Sequence, residues 1–353
     1  MISADASRRG YRHPMNFCSD NITGIHPRIL DALIAGNDGD VLPYGEDPYT
    51  WRAEARFRAV FERDLAVAMM ATGTGSNALA LSLVASPISA IFCRSGAHLQ
   101  DNEAGASLMY TNGARIIGID GRNGLIDPGD LDRVLANFDP TRMFCKPAVV
   151  SVTQASELGT VYSLQHLGEI SAVCRRHGLR MHMDGARFAN ALVHLECQPA
   201  EMSWRAGVDV LSFGATKNGA MAAEAVLVFD PALAEGLRAR LKRGGLMFSK
   251  HRFLGIQFNA YLANGLWLDM ARTANARAAE LADGLARSSA SEFLYPVEAN
   301  EVFVRLPENT LASLEAQGFQ FYRRGAGVIR LVAGWHTKPA DVASFVESAC
   351  KAD

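Results

Sequence analysis

A lysine lies in unusually neutral surroundings in the segment FGATKNG, residues 213–219. Lys217 follows the apolar run VDVLSFG and precedes small residues, in a chain that carries most of its positive charge on arginine. An amine just beyond a buried strand can form a Schiff base if desolvation keeps part of it neutral. The alternative is a solvated loop lysine. The flanking Gly214, Gly219 and Ala220 favour the first interpretation, because they permit a flat ligand to approach.

The segment HMDGARF, residues 182–188, carries a second candidate pair. Asp184 ends an apolar stretch, where a carboxylate can cap a helix, bind a metal or pair with a buried cation. A magnesium site would need further carboxylates nearby in the sequence, and none is evident. A pyridinium nitrogen is the cation that accompanies a Schiff-base lysine. Arg187 could then bind a substrate carboxylate through two hydrogen bonds, although an ordinary surface ion pair is the alternative.

The segment TGTGSN, residues 72–77, combines glycines and hydroxyls before a predicted helix. Free N–H groups and the helix dipole make such a helix start an anion site, and Gly73 and Thr74 are its candidates. The spacing matches neither a P-loop nor a dinucleotide fingerprint, so a single phosphate is the simplest ligand. His98, after the next predicted strand, could stack on an aromatic cofactor or move protons, although a lone histidine is more often structural.

These groups together indicate one cofactor. They supply an amine for an aldehyde, a carboxylate for a ring nitrogen, a phosphate cradle and an imidazole. Each group lies at or just after the end of one of the successive predicted strands. Pyridoxal 5′-phosphate (PLP) has all the matching parts. Each signal is weak alone, and their order along the chain is much more specific.

Composition narrows the class of protein. The chain has 353 residues, a net charge of −2 and six scattered cysteines without a CxxC pair. We therefore expect no nucleic-acid groove, no structural metal site and no disulfide framework. The first residues lack the apolar block of a signal peptide, and no apolar run is long enough to span a bilayer. These features predict a cytoplasmic enzyme with reduced thiols.

Short apolar strands alternate with amphipathic helices, which predicts a doubly wound, mostly parallel α/β sheet. The candidate strands are residues 65–71, 89–94, 115–119, 147–153, 179–184, 208–214 and 224–230. A long helical region at about 246–290 and four shorter strands follow. We therefore divide the chain into a large domain, residues 1–250, and a small α+β domain, residues 251–353. Ligands of such sheets gather beyond the carboxyl ends of the strands.

The chain resembles the low-specificity threonine aldolases, including phenylserine-type aldolases, of the β-eliminating-lyase group. The resemblance covers about residues 16–340. The motifs that carry it are FCSDNITGIHP, YGEDP, TGTGSN, AHLQDNEAG, SVTQASELGTVY, HMDGARFANAL, AGVDVLSFGATKNG, PVEANEVFV and IRLVAGW. It implies the aminotransferase-like fold of PLP-dependent transferases, with a seven-stranded sheet, and a homotetramer whose active sites lie at subunit interfaces.

The resemblance also implies roles for single residues. Lys217 would bind the cofactor covalently, Asp184 would pair with its ring nitrogen, and His98 would lie against the ring. Gly73 and Thr74 would hold the phosphate. The residues implied for the substrate are Ser19, Arg187 and Arg330 at its carboxylate and Tyr44 along the site, with Lys250 a further candidate near a partner's phosphate.

One position departs from the family pattern. Many threonine aldolases have a histidine where this chain has Gln154, which we assign to the cofactor site. Glutamine can hydrogen-bond a substrate hydroxyl but is not a base at neutral pH. His98, or a water that it positions, is then the leading candidate for proton transfer.

The predicted activity is cleavage of threonine, allo-threonine or phenylserine to glycine and an aldehyde. Another PLP enzyme of this fold, a β-eliminating lyase or aminotransferase, is the nearest alternative. A non-catalytic PLP-fold protein and a dinucleotide-binding enzyme are less well supported by these residues. The preference at Cβ, the preferred side chain, any cation requirement and the choice between tetramer and dimer stay open.

Overall fold

The computed structural model describes residues 15–351 and contains two β-sheets. The strands of the larger sheet are β1 (Ala66–Met70), β2 (Ser89–Arg94), β3 (Arg115–Ile119), β4 (Lys146–Thr153), β5 (Arg180–Gly185), β6 (Val210–Gly214) and β7 (Glu224–Val228). Each agrees with its predicted strand to within two residues at either end. The strands of the smaller sheet are β8 (Glu292–Phe293), β9 (Glu301–Arg305), β10 (Tyr322–Gly325) and β11 (Val328–Val332).

The larger sheet has the strand order β1-β7-β6-β5-β4-β2-β3. All neighbouring pairs are parallel except those of β7, which is antiparallel to both β1 and β6. Every residue of β6 and β7 is buried, because helices cover both faces of the sheet. This confirms the predicted α/β class. It also places the start of β7 at the same edge as the carboxyl ends of the parallel strands.

Fourteen α-helices surround the sheets within the described residues. They are α1 (Pro27–Ala35), α2 (Pro48–Val60), α3 (Gly73–Val84), α4 (His98–Asp101), α5 (Ala106–Tyr110), α6 (Pro128–Ala136), α7 (Pro140–Met143), α8 (Leu164–His177), α9 (Phe188–Leu195), α10 (Leu237–Arg243), α11 (Arg252–Tyr261), α12 (Leu266–Leu285), α13 (Glu308–Ala316) and α14 (Pro339–Lys351). Side chains of Asp47, Thr72, Asp127 and Ser163 cap the helices that follow them. Within residues 15–351, no helix is both long and apolar enough to cross a membrane.

The predicted helical region at 246–290 is interrupted, which corrects that expectation. Between α11 and α12, Asn264 has a φ of 52° and Gly265 a φ of 70°. These left-handed conformations cannot continue an α-helix, so the chain turns before α12 begins. The break lets α11 pack on α2 and lets α12 contact both α9 and α14.

The smaller sheet is antiparallel, in the order β10-β11-β9-β8, and packs with the second half of α12, with α13 and with α14 around its own core. Leu254 and Phe258 of α11 instead belong to the core of the large sheet. The start of the described chain packs on this smaller part, because Phe17 contacts Phe345 and its backbone N–H donates to the Gln320 carbonyl. The domain boundary at residue 250 stays a prediction.

Candidate active site

A cavity lies at the edge of the large sheet where β1, β2, β4, β5 and β6 end. Its walls come from those strand ends, from the first turn of α3 and from β7. They are formed by Gly73, Thr74, Asn77, His98, Glu103, Thr153, Ala155, Glu157, Asp184, Ala186, Arg187, Ser212, Lys217 and Glu224. Six of the predicted site residues therefore meet in one cavity, as expected for the carboxyl edge of an open α/β sheet.

The first turn of α3 supplies an anion cradle. Thr72 caps the helix, and its hydroxyl accepts a hydrogen bond from the Gly75 N–H over 3.2 Å. The Ser76 N–H bonds the Thr72 carbonyl over 3.0 Å, so the helical ladder starts there. The N–H groups of Gly73 and Thr74 precede that bond and have no acceptor inside the helix. With the helix dipole they fit a phosphate group.

Asp184 is held rigidly at the end of β5. Its Oδ1 accepts the Ala186 N–H over 3.0 Å, and its Oδ2 accepts the Asn77 side-chain amide over 2.8 Å. Asp184 is only 6% exposed and lines the cavity. A carboxylate oriented in this way fits the nitrogen of a cationic ring.

His98 is connected to Asp184 through two buried side chains. The Nδ1 of His98 lies 2.9 Å from Glu103 Oε1, which also accepts the Asn77 amide over 2.7 Å. That same amide group bonds Asp184. The hydrogen bond to Glu103 is the main cause of a raised His98 pKa, although partial burial opposes it. The backbone N–H of His98 donates to Glu157 over 2.8 Å, so the ring and its backbone are fixed separately.

Two acceptor atoms of this network have no partner within residues 15–351. They are Oε2 of Glu103 and Oδ1 of Asn77, both buried beside the cavity. Unpaired buried acceptors are rare in native proteins. They indicate that a group with a donor, or ordered water, completes this wall of the cavity.

Lys217 lies in a short 3₁₀ turn between β6 and β7. The turn is anchored by its neighbour Asn218, whose side chain donates to the Tyr261 hydroxyl and the Trp267 carbonyl. No hydrogen bond or ion pair of the Lys217 amine occurs in the described part of the chain, and its side chain borders the cavity. The amine is therefore available for covalent chemistry.

The glycines around Lys217 have reasons other than ligand approach, which corrects the sequence argument. Gly219 has a φ of 98°, and a Cβ there would lie 2.8 Å from the Met270 sulfur. A Cβ on Gly214 would lie 2.9 Å from the Ala186 Cα. Both positions need glycine for the turn and for strand packing.

Arg187 already has two acidic partners. Its Nε and Nη2 bond the two oxygens of Asp20 over 2.7 and 3.0 Å, and its Nη1 lies 3.2 Å from Glu301. Burial alone would raise the pKa of Asp20, but the charge and hydrogen bonds of Arg187 hold it below its usual value. A substrate carboxylate would therefore join an existing ion-pair network rather than meet a free arginine.

A second, more open cavity adjoins the first and contains the substrate side of the predicted site. His98, Glu157, Arg187 and Lys217 line both cavities, and Ser19 and Arg330 line only the second. Arg330 donates to the Cys18 carbonyl over 3.0 Å and lies 3.4 Å from Glu301, while its buried Nε has no partner in residues 15–351. Burial lowers the pKa of Arg330. This unpaired donor fits an anionic group of a substrate.

Gln154 lies outside both cavities, which corrects its assignment to the cofactor site. Its amide bonds the Tyr162 carbonyl and N–H, each over 3.0 Å, and its Nε2 also contacts the Met202 sulfur. The side chain is fully buried. Its hydrogen-bonding capacity is used to hold the loop after β4, so a contact with a substrate hydroxyl is unsupported.

Tyr44 and Lys250 also lie apart from the cavities of their own chain. Tyr44 has a φ of 59°, stacks on the Lys242 amine and is bonded through its backbone to Ser249. Neither Tyr44 nor Lys250 lines a wall with Lys217. This placement leaves open the prediction that they reach the site of a neighbouring subunit.

Comparison with known proteins identifies the family. Residues 16–309 match the model of the beta-eliminating lyase family. The chain belongs to this family. The low-specificity L-threonine aldolases of Pseudomonas sp. (strain NCIMB 10558) and Pseudomonas aeruginosa are each 40% identical, over 92% of this chain and 94% of theirs. The solved threonine aldolase structure of Leishmania major matches with a TM-score of 0.90 and 29% identity, over 96% of this chain and 99% of that one.

The family assignment shows that the chain is a PLP-dependent lyase with the fold of PLP-dependent transferases. The cavity fits that cofactor on structural grounds. Gly73 and Thr74 of the helix start, the oriented Asp184 and the unpartnered Lys217 line one cavity, and Asn77 and Glu103, which carry the unpaired acceptors, line it too.

Sequence reasoning missed five acidic residues of the site. Asp20 and Glu301 pair with the arginines, and Glu103 connects His98 with Asn77. Glu157 accepts the backbone N–H of His98, and Glu224 lines the cavity beside Lys217. Glu103 lies five residues after His98 in AHLQDNEAG, and this spacing across a short helix is the only signal that could have found it.

Proposed function

We propose that the protein cleaves L-threonine and related β-hydroxy-α-amino acids, including phenylserine, to glycine and an aldehyde. The observation that carries the proposal is that Lys217, Asp184 and the start of α3 face one cavity, which opens beside Ser19 and Arg330. The activity named for the Pseudomonas relatives supports the same reaction.

The proposal gives each group one task. Gly73 and Thr74 would hold the cofactor phosphate, Asp184 would keep the ring nitrogen protonated, and Lys217 would supply the amine for the covalent link. When bound, the cofactor supplies an electron sink for the pair released at the substrate Cα. Arg187 and Arg330 orient the substrate carboxylate, which determines the bond at Cα that breaks.

His98 is the proposed base. Its ring faces the cavity, and Glu103 bonds Nδ1, so Nε2 is the nitrogen left to accept a proton. It takes the proton of the β-hydroxyl as the Cα–Cβ bond breaks and the aldehyde leaves. Cα then takes up one proton to give glycine, so no net proton is gained or lost. Assistance of this kind contributes about 10²–10⁴-fold.

The test supplies L-threonine, L-allo-threonine and phenylserine to the PLP-loaded enzyme and measures acetaldehyde, benzaldehyde and glycine. We expect aldehyde and glycine in equal amounts, and neither from Lys217→Ala, which also loses the visible absorption of the bound cofactor. Release of ammonia together with an oxo acid would instead identify an eliminating lyase, and release of an oxo acid without ammonia would identify an aminotransferase, which keeps the amino group on the cofactor. Lys217→Ala with normal turnover would contradict the lysine assignment.

We further propose a cytoplasmic homotetramer with sites at subunit interfaces and a domain boundary near residue 250. Five exposed apolar side chains support the oligomer. Ile34 and Trp51 lie on α1 and α2, the two helices that pack on α11, and Met221 hydrogen-bonds α11 through its backbone, while Leu42 and Phe248 lie close in sequence to Tyr44 and α11. A second copy of the chain would cover this apolar surface and bring Tyr44 to the neighbouring site.

A further inference from the structure

Glu224 is a buried acid at the first position of β7. It pairs across the sheet with Met70 of β1 and Gly214 of β6. Because β7 runs antiparallel to both strands, its first residue lies where β1 and β6 end. Glu224 is therefore placed between the anion cradle that follows β1 and the lysine turn that follows β6.

Distances confirm that Glu224 reaches both features. Its Oε2 lies 3.7 Å from the position that a Cβ on Gly73 would take, and 3.1 Å from the corresponding position on Gly214. The hydroxyl and the backbone N–H of Thr216 face the carboxyl from the lysine turn. An acid in contact with the helix start is unexpected at a site for a phosphate dianion.

The charged groups around Glu224 come from three other elements. Burial is the main cause that raises its pKa to about 7, and Asp184 of β5 adds to this. Thr216 and the charge of Lys217 act in the opposite direction. From α11, the Tyr261 phenol is close enough for Glu224 to contribute to its own raised pKa.

A phosphate at the cradle would change this balance. Burial already disfavours the charged form of the Glu224 carboxyl, and the phosphate places a second anion beside it. Two anions that share a buried site do not both stay ionised. Near neutral pH the phosphate is mostly a dianion, whereas burial has already raised the pKa of the Glu224 carboxyl to about 7. The carboxyl is therefore the group that binds the proton.

We propose that Glu224 takes up one proton from solvent when the cofactor phosphate binds at Gly73 and Thr74, and then donates its O–H to a phosphate oxygen. No bond other than this O–H forms or breaks. The inference rests on the proposed placement of the phosphate. It makes Glu224 a positioning residue and couples cofactor binding to pH.

The sign of the coupling follows from the two states. Without cofactor, Glu224 is ionised above about pH 7 and protonated below it. With phosphate bound, it is protonated in both ranges. Binding therefore takes up close to one extra proton at pH 8 and little at pH 6, and affinity falls by up to about tenfold per pH unit above 7.

Calorimetry tests the proposal. PLP is titrated into the cofactor-free protein at pH 6 and pH 8, in phosphate-free buffers of different ionisation enthalpy, to count the protons taken up. At pH 8 we expect the wild type to take up about one proton more than Glu224→Gln, which carries a permanent neutral donor. Glu54→Gln is the matched control, because Glu54 is a carboxyl with a raised pKa on α2, outside the cavity.

Pyridoxal, which lacks the phosphate, provides a test that needs no variant. Wild-type protein should show the extra proton at pH 8 with PLP and with inorganic phosphate, but not with pyridoxal. Equal uptake for PLP and pyridoxal, or for wild type and Glu224→Gln, would overturn the inference while leaving the proposed function intact. A protein that does not bind PLP at all would overturn both.

Discussion

At the scale of single residues, the state of His98 depends on Glu103. The hydrogen bond between the Glu103 carboxylate and Nδ1 of His98 is the main cause of the raised imidazole pKa. We therefore predict that Glu103→Gln lowers the His98 pKa and moves the acidic limb of the pH–rate profile to lower pH. An NMR titration of the imidazole in the cofactor-free protein measures this directly. The accompanying loss in rate should not exceed the roughly 10²–10⁴-fold that general base catalysis contributes.

Glu157→Gln is the control for that prediction. Glu157 bonds the backbone N–H of His98 and the Thr153 hydroxyl, whereas Glu103 bonds the ring. The control substitution should leave the imidazole midpoint near its original pH. Similar shifts in both variants would show that general electrostatics, and not the Glu103 contact, determines the pKa of His98.

The site residues that could be predicted from the sequence are those that lie in recognisable sequence motifs. Lys217, Asp184, Gly73 and Thr74 each follow a recognisable strand, so topology alone brings them together. Glu224 and Glu301 are the first residues of strands β7 and β9, and neither position carries a residue pattern that indicates a site contact, although Glu301 lies within the family segment PVEANEVFV. Their role depends on which strands are adjacent and in which direction they run, and a single sequence does not encode that in a local pattern.

At the scale of elements, the strands and the mostly parallel sheet were predictable from the sequence, and the antiparallel course of β7 was not. The apolar runs of the large sheet mark its seven strands, because burial on both faces requires continuous apolar residues. The antiparallel course of β7 follows from the short connection after β6, where Lys217 and Gly219 turn the chain back. The break between α11 and α12 had a local signal in the Asn264-Gly265 pair.

The packing of α11 on α2 depends on one glycine. A Cβ on Gly255 would lie 2.7 Å from the Thr50 nitrogen and from the Tyr49 carbonyl carbon, both of which are backbone atoms. The helices would have to separate, because neither atom can rotate away. We predict that Gly255→Ala lowers the free energy of unfolding by about 1–3 kcal/mol, as measured by denaturant titration of the cofactor-free protein.

Gly168 offers the matched control within a helix. It lies inside α8, and a Cβ there would have no neighbour within 4 Å. Gly168→Ala should therefore raise the free energy of unfolding by about 0.5–1 kcal/mol, because alanine restricts the unfolded chain. A destabilisation of equal size at both positions would show that close packing is not the cause at Gly255.

At the scale of the whole molecule, the proposed oligomer would connect assembly with activity through the surface around α11. Arg252 of α11 bonds the carbonyls of Asn37 and Gly39, and the backbone of Tyr44 bonds Ser249. The apolar side chains on this surface are thus held close to residues that the family resemblance assigns to a neighbouring site. Separation of subunits should therefore lower activity without unfolding the chain.

Trp51→Asp tests this connection. Trp51 is 54% exposed in the first turn of α2, where an aspartate suits the helix dipole and should not disturb the fold. An unpaired carboxylate in a subunit interface costs about 2 kcal/mol, which weakens association about 30-fold. Sedimentation velocity should show smaller species, and these should have reduced aldehyde release.

Phe144→Asp is the control, at an 85% exposed position away from α11. It should leave both the sedimentation coefficient and the aldehyde release unchanged. Equal effects of the two substitutions would place the interface elsewhere.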